Sequence, residues 1–228
     1  MPPFEHEHPR LAVSTVIFAL KDEVDGELPA LWLPLVRRIQ DPFEGYWALP
    51  GGPLGVNESL VDAARYRLRE VTGMTPRYLE QLYTFGDPKR SGRERLVSII
   101  YWALVSTKEI RAFNSDDENV CWFPADSLPP LAFDHTSIVR YALWRLRNKV
   151  EYAQIAHRFL GPSFTIAQLR SVHEAILQRP LDPANFRRQM EASGALIDTG
   201  KVQTGVRYRP PRLFRFAEHT ELGVLAEP

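Results

Sequence analysis

Residues 51–74 read GGPLGVNESLVDAARYRLREVTGM, and this stretch restricts the fold more than any other. Paired glycines permit a tight backbone turn, and Asn57 or Ser59 supplies a helix N-cap. Leu60, Ala63, Ala64 and Leu68 then recur on one face of a helix that Gly73 stops, with Pro76 beyond. Such a helix is stable only when another layer covers its apolar stripe. The neighbouring sequence offers a sheet for this. Residues 11–20 and 30–36 are apolar runs with β-branched side chains, separated by a charged loop holding Gly26 and Pro29, the pattern of a hairpin. Residues 79–85, 96–105 and 119–123 predict further strands.

A second helix opens at Asp134, a candidate N-cap, and places Ile138, Ala142, Leu146 and Val150 on one stripe. It is long enough to join two domains. The periodicity breaks over residues 153–163, at Gly161-Pro162-Ser163, so the expected domains are residues 1–155 and 156–228. Beyond the break, Thr165-x-x-Gln168 forms a capping-box pattern before a helix carrying Leu169, Val172 and Ile176 inward. The next helix has Asp182 as N-cap, Pro183 at its first position, Phe186 and Met190 on its buried face and Gly194 as its stop. After Leu196 and Ile197 come a polar loop, KVQTGVRYRPPR, and the apolar alternation LFRF. Helix, turn, helix and a basic two-stranded flap outline a winged helix-turn-helix.

The chain has no net charge, which argues against a uniformly basic nucleic-acid binder, but the distribution is uneven. Residues 158–216 hold ten cations against four anions, and asymmetry of this kind points to nucleic-acid contact. The single Cys121 excludes an internal disulfide framework or a thiolate zinc site and suits a reducing cytoplasm, where it is expected as a buried small hydrophobe. MPPFEHEHPR lacks the basic and apolar regions of a secretory leader, and no apolar run approaches a membrane span. The expectation is a cytoplasmic protein without membrane contact.

The glycine-helix stretch resembles the Nudix box: Gly, five residues, Glu, seven residues, then Arg-Glu-apolar-x-Glu-Glu-x-Gly-apolar. Gly52, Glu58, Leu68, Glu70, Gly73 and Met74 match; Tyr66, Arg67 and Val71 do not. The family chemistry needs several helical glutamates aimed at divalent cations that activate water against a diphosphate. Here Arg67 puts a fixed cation where metal would sit, and two unit charges at ~4 Å interact by about 4 kcal/mol at an effective dielectric near 20. A metal would be repelled. Arg67 is expected either to pair with Glu70 or to neutralise a bound diphosphate directly. No catalytic residue, metal or cofactor is therefore assigned, a Nudix pyrophosphatase with an accessory domain remaining the alternative.

In this domain Arg37 and Arg38 close a strand facing Trp47 in WALPGG, so that guanidinium groups would grip phosphates and the ring would stack on a base; the plain alternative is Trp47 in the core and Arg38 in solvent. The loop GDPKRSGRER and the turn LAFDH, with Asp134 and His135, belong at the same pocket mouth. With Glu58, Arg67 and Glu70 these complete the candidate effector site. In the second domain Asn185, Arg187, Arg188 and Gln189 face solvent from the helix and are groove-reading types. Lys201, Arg207, Arg209 and Arg212 on the wing suit phosphate or a narrow minor groove, and Thr165 completes the candidate DNA set. A basic dimerisation or RNA-contacting module is the other possibility for this surface.

WALPGG, the altered Nudix box, the AFDH helix and RPLDPANFRRQMEASGALIDTG together resemble the Nudix-related transcriptional regulator (NrtR) family over nearly the whole chain. The resemblance implies an α+β protein, with a Nudix-like α/β/α sandwich on a mixed sheet and a C-terminal winged helix-turn-helix domain. It implies a regulator, a repressor, acting on operators of NAD biosynthesis or salvage genes. Its partners would be double-stranded operator DNA, ADP-ribose or NAD as effector, and a second copy of the chain in a homodimer reading two half-sites.

Overall fold

The computed structural model describes residues 8–21, 29–73, 76, 78–92, 94–105, 119–152, 154–205 and 210–217. The chain gathers into two compact units, Met1–Ala19 with Trp32–Leu143, and Leu20–Leu31 with Trp144–Pro228.

The first unit is built on a mixed sheet. Strands β1 (Arg10–Lys21), β2 (Ala30–Arg37), β3 (Trp47–Ala48), β4 (Gly51–Pro53), β5 (Tyr78–Phe85), β6 (Leu96–Val105) and β7 (Val120–Pro124) follow the order β3-β2-β1-β6-β5, with β4 on β1 and β7 on β2. β1 runs parallel to β6, while β5 is antiparallel to β6 and β7 to β2. The apolar run of β1 is continuous rather than alternating because both of its faces are covered. On one face Val13, Ile17 and Ala19, with Ile99, Tyr101 and Ala103, pack against Ala63, Ala64 and Leu68 of helix α1 (Leu60–Thr72). On the other, Val16, Ile100 and Trp102 are fully buried. Helix α2 (His135–Tyr152) lies over that face, where its Tyr141 meets Tyr83 and Phe85, the register partners of Ile100 and Ser98.

Both ends of α1 follow from the sequence. The Ser59 hydroxyl accepts the Asp62 N–H, and Gly73 takes the left-handed conformation (φ 64°) that closes the helix. Ile138, Ala142, Leu146 and Val150 are buried on α2 as their spacing predicts. Cys121 is half-buried on β7. The hairpin pattern expected over residues 11–36 appears as the neighbouring strands β1 and β2.

In the second unit a 3-10 helix, Gln154–Phe159, precedes α3 (Ile166–Leu177), α4 (Pro183–Ala192) and the wing strands β8 (Leu196–Val202) and β9 (Arg212–Phe216). The capping box at Thr165 and Gln168 is fully formed, and Asp182 caps α4 by accepting the Asn185 N–H at 2.7 Å. Phe164 exchanges both backbone hydrogen bonds with Phe214 of β9, anchoring the wing beside Leu169, Val172, Ile176 and Phe186 of the core. β8 runs through Lys201 instead of ending at Ile197. A register shift after Asp198 admits the extra residues, with Gly200 at φ 70° and Thr199 Oγ1 donating to the Leu213 carbonyl. Among the described residues no helix is long and apolar enough to cross a membrane.

The turn between α3 and α4 depends on a buried carboxylate. Glu174, its side chain 6% exposed, accepts from Arg170 at 2.9 Å and from the Leu181 N–H at 2.8 Å. Glu174→Ala leaves both donors without this acceptor, so the winged unit is expected to lose about 1–3 kcal/mol. Thermal unfolding should show a drop of several degrees for that unit while Glu174→Gln retains part of the loss.

Candidate functional site

A cleft of about 610 Å³ opens in the first unit. Its floor is the face of β1 and β6 that carries Ala12, Ser14 and Ser98, and its walls are residues 48–53, the loop at 38–42, the loop at 90–94, and Phe133 with His135. Gly51 is required by this wall. A Cβ there would lie 2.3 Å from Ser14 Oγ and 2.8 Å from the Val13 carbonyl oxygen, so only glycine lets β4 approach β1.

Three arginines, Arg10, Arg38 and Arg90, line the cleft. Arg90 is fixed most firmly. It donates through Nε and Nη2 to the two oxygens of Asp134 at 2.9 and 2.7 Å and through Nη1 to Ser98 Oγ at 2.5 Å, with its side chain 3% exposed. This fork-on-fork geometry holds the guanidinium plane in one orientation. Arg38 donates from Nε to the Pro42 carbonyl at 2.8 Å and stands 4.9 Å from the centre of the Phe133 ring; burial lowers its pKa. Arg10 pairs with Glu94 at 2.9 Å at the exposed rim.

Phe133 and Phe43 meet edge-on at 4.9 Å, with Tyr46 beyond Phe43. Both phenylalanines have positive φ, 55° and 67°. An aromatic residue rarely adopts that conformation, and such strain persists where the surroundings enforce it, often at ligand sites. His135 closes the cleft. It is 8% exposed and its Nδ1 accepts the Leu49 N–H at 3.0 Å, which leaves the proton on Nε2 in the neutral ring. Burial pushes its pKa down to about 4, opposed by Asp134 and assisted by Arg90 and Arg38.

Of the eight residues the sequence nominates here, Arg38 and His135 line the cleft and Asp134 is tied to its wall through Arg90. The carboxylate expected to cap α2 is held by that arginine, whose charge makes it the stronger partner. Trp47 lies outside the lining: its ring packs edge-on against Phe123 at 5.0 Å, and its carbonyl accepts the Ala132 N–H. Arg37 is exposed at the end of β2, also outside the lining. Glu58 accepts the Gly55 N–H, and Arg67 pairs with Glu70 at 3.1 Å, one of its two expected roles. Arg90 and Phe133 were missed as residues although their loops, GDPKRSGRER and LAFDH, are singled out by sequence. Nothing in the local pattern distinguishes Arg90 from the other cations of its loop.

On the second unit α4 exposes Asn185, Arg187, Arg188 and Gln189 around the buried Phe186. Arg188 donates to Asn185 Oδ1 at 2.7 Å, and Arg187 pairs with Glu191 at 2.9 Å. Lys201 is exposed on β8, and Arg212 pairs with Asp198 at 3.2 Å. Arg207 and Arg209 lie outside the described residues. Thr165 does not belong with this exposed set. It is 3% exposed, and its hydroxyl accepts the Gln168 N–H as the cap of α3. The starts of α3 and α4 and the wing residues Pro211 and Arg212 border a second cleft of about 430 Å³ that Arg170 and Arg187 also line.

Residues 8–142 match the NUDIX domain and residues 156–216 match the NrtR DNA-binding winged helix domain. Together they define a class in which a Nudix unit is joined to a DNA-binding module. The chain is 33% identical over 217 residues, 93% of its length and 84% of the relative's, to the ADPR responsive transcriptional repressor NtrR of Acinetobacter baylyi. Shewanella oneidensis NrtR complexed with a 27mer DNA superposes with a TM-score of 0.77 at 35% identity, covering 91% of this chain and 93% of that one. The NUDIX domain of the same protein complexed with ADP ribose gives 0.52 at 35% identity over 64% of this chain and 94% of that one. An ADP-ribose pyrophosphatase of Methanocaldococcus jannaschii is 32% identical over 139 residues, 60% of this chain and 76% of that protein. The chain belongs to the NrtR family.

Proposed function

We propose that the protein is a transcriptional repressor whose hold on operator DNA responds to ADP-ribose, or a closely related NAD metabolite, bound in the first-unit cleft. The observation that carries the ligand class is the pairing of Arg90 and Arg38 with Phe133, a strained cleft residue that Phe43 braces from outside the lining. Arginines suit a diphosphate, ring faces suit a base, and the neutral His135 offers an Nε2–H donor to a ribose or phosphate oxygen. The cleft volume falls within the ordinary range for nucleotide-sized ligands. DNA binding is supported by the exposed Asn185, Arg187, Arg188 and Gln189 of α4, by the winged helix match, and by the relatives' repressor role and DNA complex. Operator binding places the protein with the chromosome in the cytoplasm. A homodimer reading two half-sites about one helical turn, ~34 Å, apart fits a reading unit this small.

The first unit is proposed to sense its ligand without hydrolysing it. Val71, at a position where the box has a carboxylate, is a core side chain at 8% exposure, and Glu70 is already paired with Arg67. With Mg²⁺ and ADP-ribose the purified chain is expected to release no AMP at enzyme-like rates, on the order of 1 per second. Fluorescence anisotropy of a labelled duplex from upstream of NAD-biosynthesis or salvage genes tests the regulator itself. Operator affinity should change at least about fivefold on adding ADP-ribose; an unchanged affinity would rule the reading out.

A further inference from the structure

The Nudix domain implies a divalent cation held by carboxylates of the box, but the residues present do not suit one. Val71 is buried in the core, Glu58 accepts a backbone N–H from Gly55 at 3.1 Å, and Glu70 receives Arg67 Nη1 at 3.1 Å. Among the described residues no group of three or more His, Cys, Asp or Glu could hold a metal ion. A positive group stands there instead. The Arg67 guanidinium lies flat against Gly52, where an added Cβ would meet its Nη2, Cζ and Nε at 2.8, 2.9 and 3.0 Å. Tyr66 supports it from another side, 5.1 Å from its ring centre. Gly52 itself lines the cleft, so this fixed cation stands behind the glycine wall and keeps 23% of its side chain exposed.

We propose that Arg67 replaces the Nudix divalent cation, so that the cleft binds a diphosphate-bearing ligand without metal. The inference rests on the ligand class argued above. From behind Gly52 a guanidinium answers phosphate charge through space, across the glycine backbone, yet has no exchangeable water to activate, which a bound metal supplies to hydrolysis. Substituting one cation for the other therefore keeps binding and removes the chemical step, which is what a sensor requires. It also explains Gly52: any side chain there would displace the guanidinium.

The test is calorimetric titration of the full chain with ADP-ribose, in excess EDTA and in millimolar MgCl2. The wild type should bind equally, within about twofold, in both. In EDTA, Arg67→Gln should bind about tenfold more weakly, as expected for losing a positive charge that faces the diphosphate across Gly52. Arg67→Lys should recover part of that loss. Gly52→Ala, which keeps the arginine but shifts it, should weaken binding in the same direction, and thermal unfolding of each variant separates this from misfolding. A wild type that binds tenfold or more weakly in EDTA overturns the proposal while leaving the ligand class standing, as does Arg67→Gln binding like wild type. If ADP-ribose binds in neither buffer, the ligand class fails and this inference fails with it.

Discussion

Lowering the pH from 7 to 4.5 is expected to destabilise both units, each through one histidine, His135 buried in the first and His173 half-buried in the second. Burial pushes the pKa of His173 on α3 down to about 4, where its ring meets Phe186 of α4 edge-on at 5.1 Å. His135 stands at about the same value, with burial the largest cause. An unfolded histidine titrates near 6.5. Because the folded values lie below it, the unfolded chain takes up protons first. Each histidine's contribution is complete above pH ~6.5 and is lost as the pH falls toward 4. A shift of this size corresponds to roughly 3 kcal/mol for each group when fully developed. At the first unit the effect has a structural readout, because a proton on Nδ1 cannot coexist with the Leu49 N–H that Nδ1 now accepts. Urea unfolding at pH 7 and 4.5 should show the loss, with His173→Leu removing it from the winged unit alone. Equal stability at both pH values would mean that neither ring is held neutral by its surroundings.

Asp134→Ala is expected to have a comparable effect with a distinctive remedy. The substitution leaves the Arg90 guanidinium, 3% exposed, without the carboxylate that now receives two of its N–H groups. Removing one partner of a buried ion pair costs about 3–5 kcal/mol, and the 25% exposure of Asp134 places this case near the lower end. A ligand phosphate can answer the stranded charge. ADP-ribose should then raise the melting temperature of Asp134→Ala by more than it raises that of the wild type. Arg90→Ala should lose stability without such rescue and bind ADP-ribose at least about tenfold more weakly. Equal ligand-induced shifts in Asp134→Ala and the wild type would remove Arg90 from the binding site.

The sequence made the helices and their ends plain because caps and stops are local. Ser59, Thr165, Asp182 and Gly73 act within one turn of their own position. The long strands were equally legible, since nine apolar residues among the ten of β6 leave little choice. β3 and β4, of two and three residues, are too short to show any period and exist through their partners on β2 and β1. The cleft was legible in part for the same reason. Arg67–Glu70 is an i,i+3 pair on one helix and can be read from spacing. Arg90–Asp134 spans 44 positions, and only the fold brings the two together. Trp47 shows the converse, a side chain of the right type near the right segment whose ring packs edge-on against Phe123 outside the cleft lining.

Reciprocity tests most directly whether one chain couples a ligand cleft to an operator-reading surface. Titrating ADP-ribose into the full-length protein, alone and saturated with operator duplex, should give affinities that differ by the factor by which ADP-ribose changes operator affinity. Linkage fixes the two factors as equal, commonly about 5- to 150-fold. Equal ADP-ribose affinities with and without DNA, in protein that demonstrably binds both, would contradict that coupling.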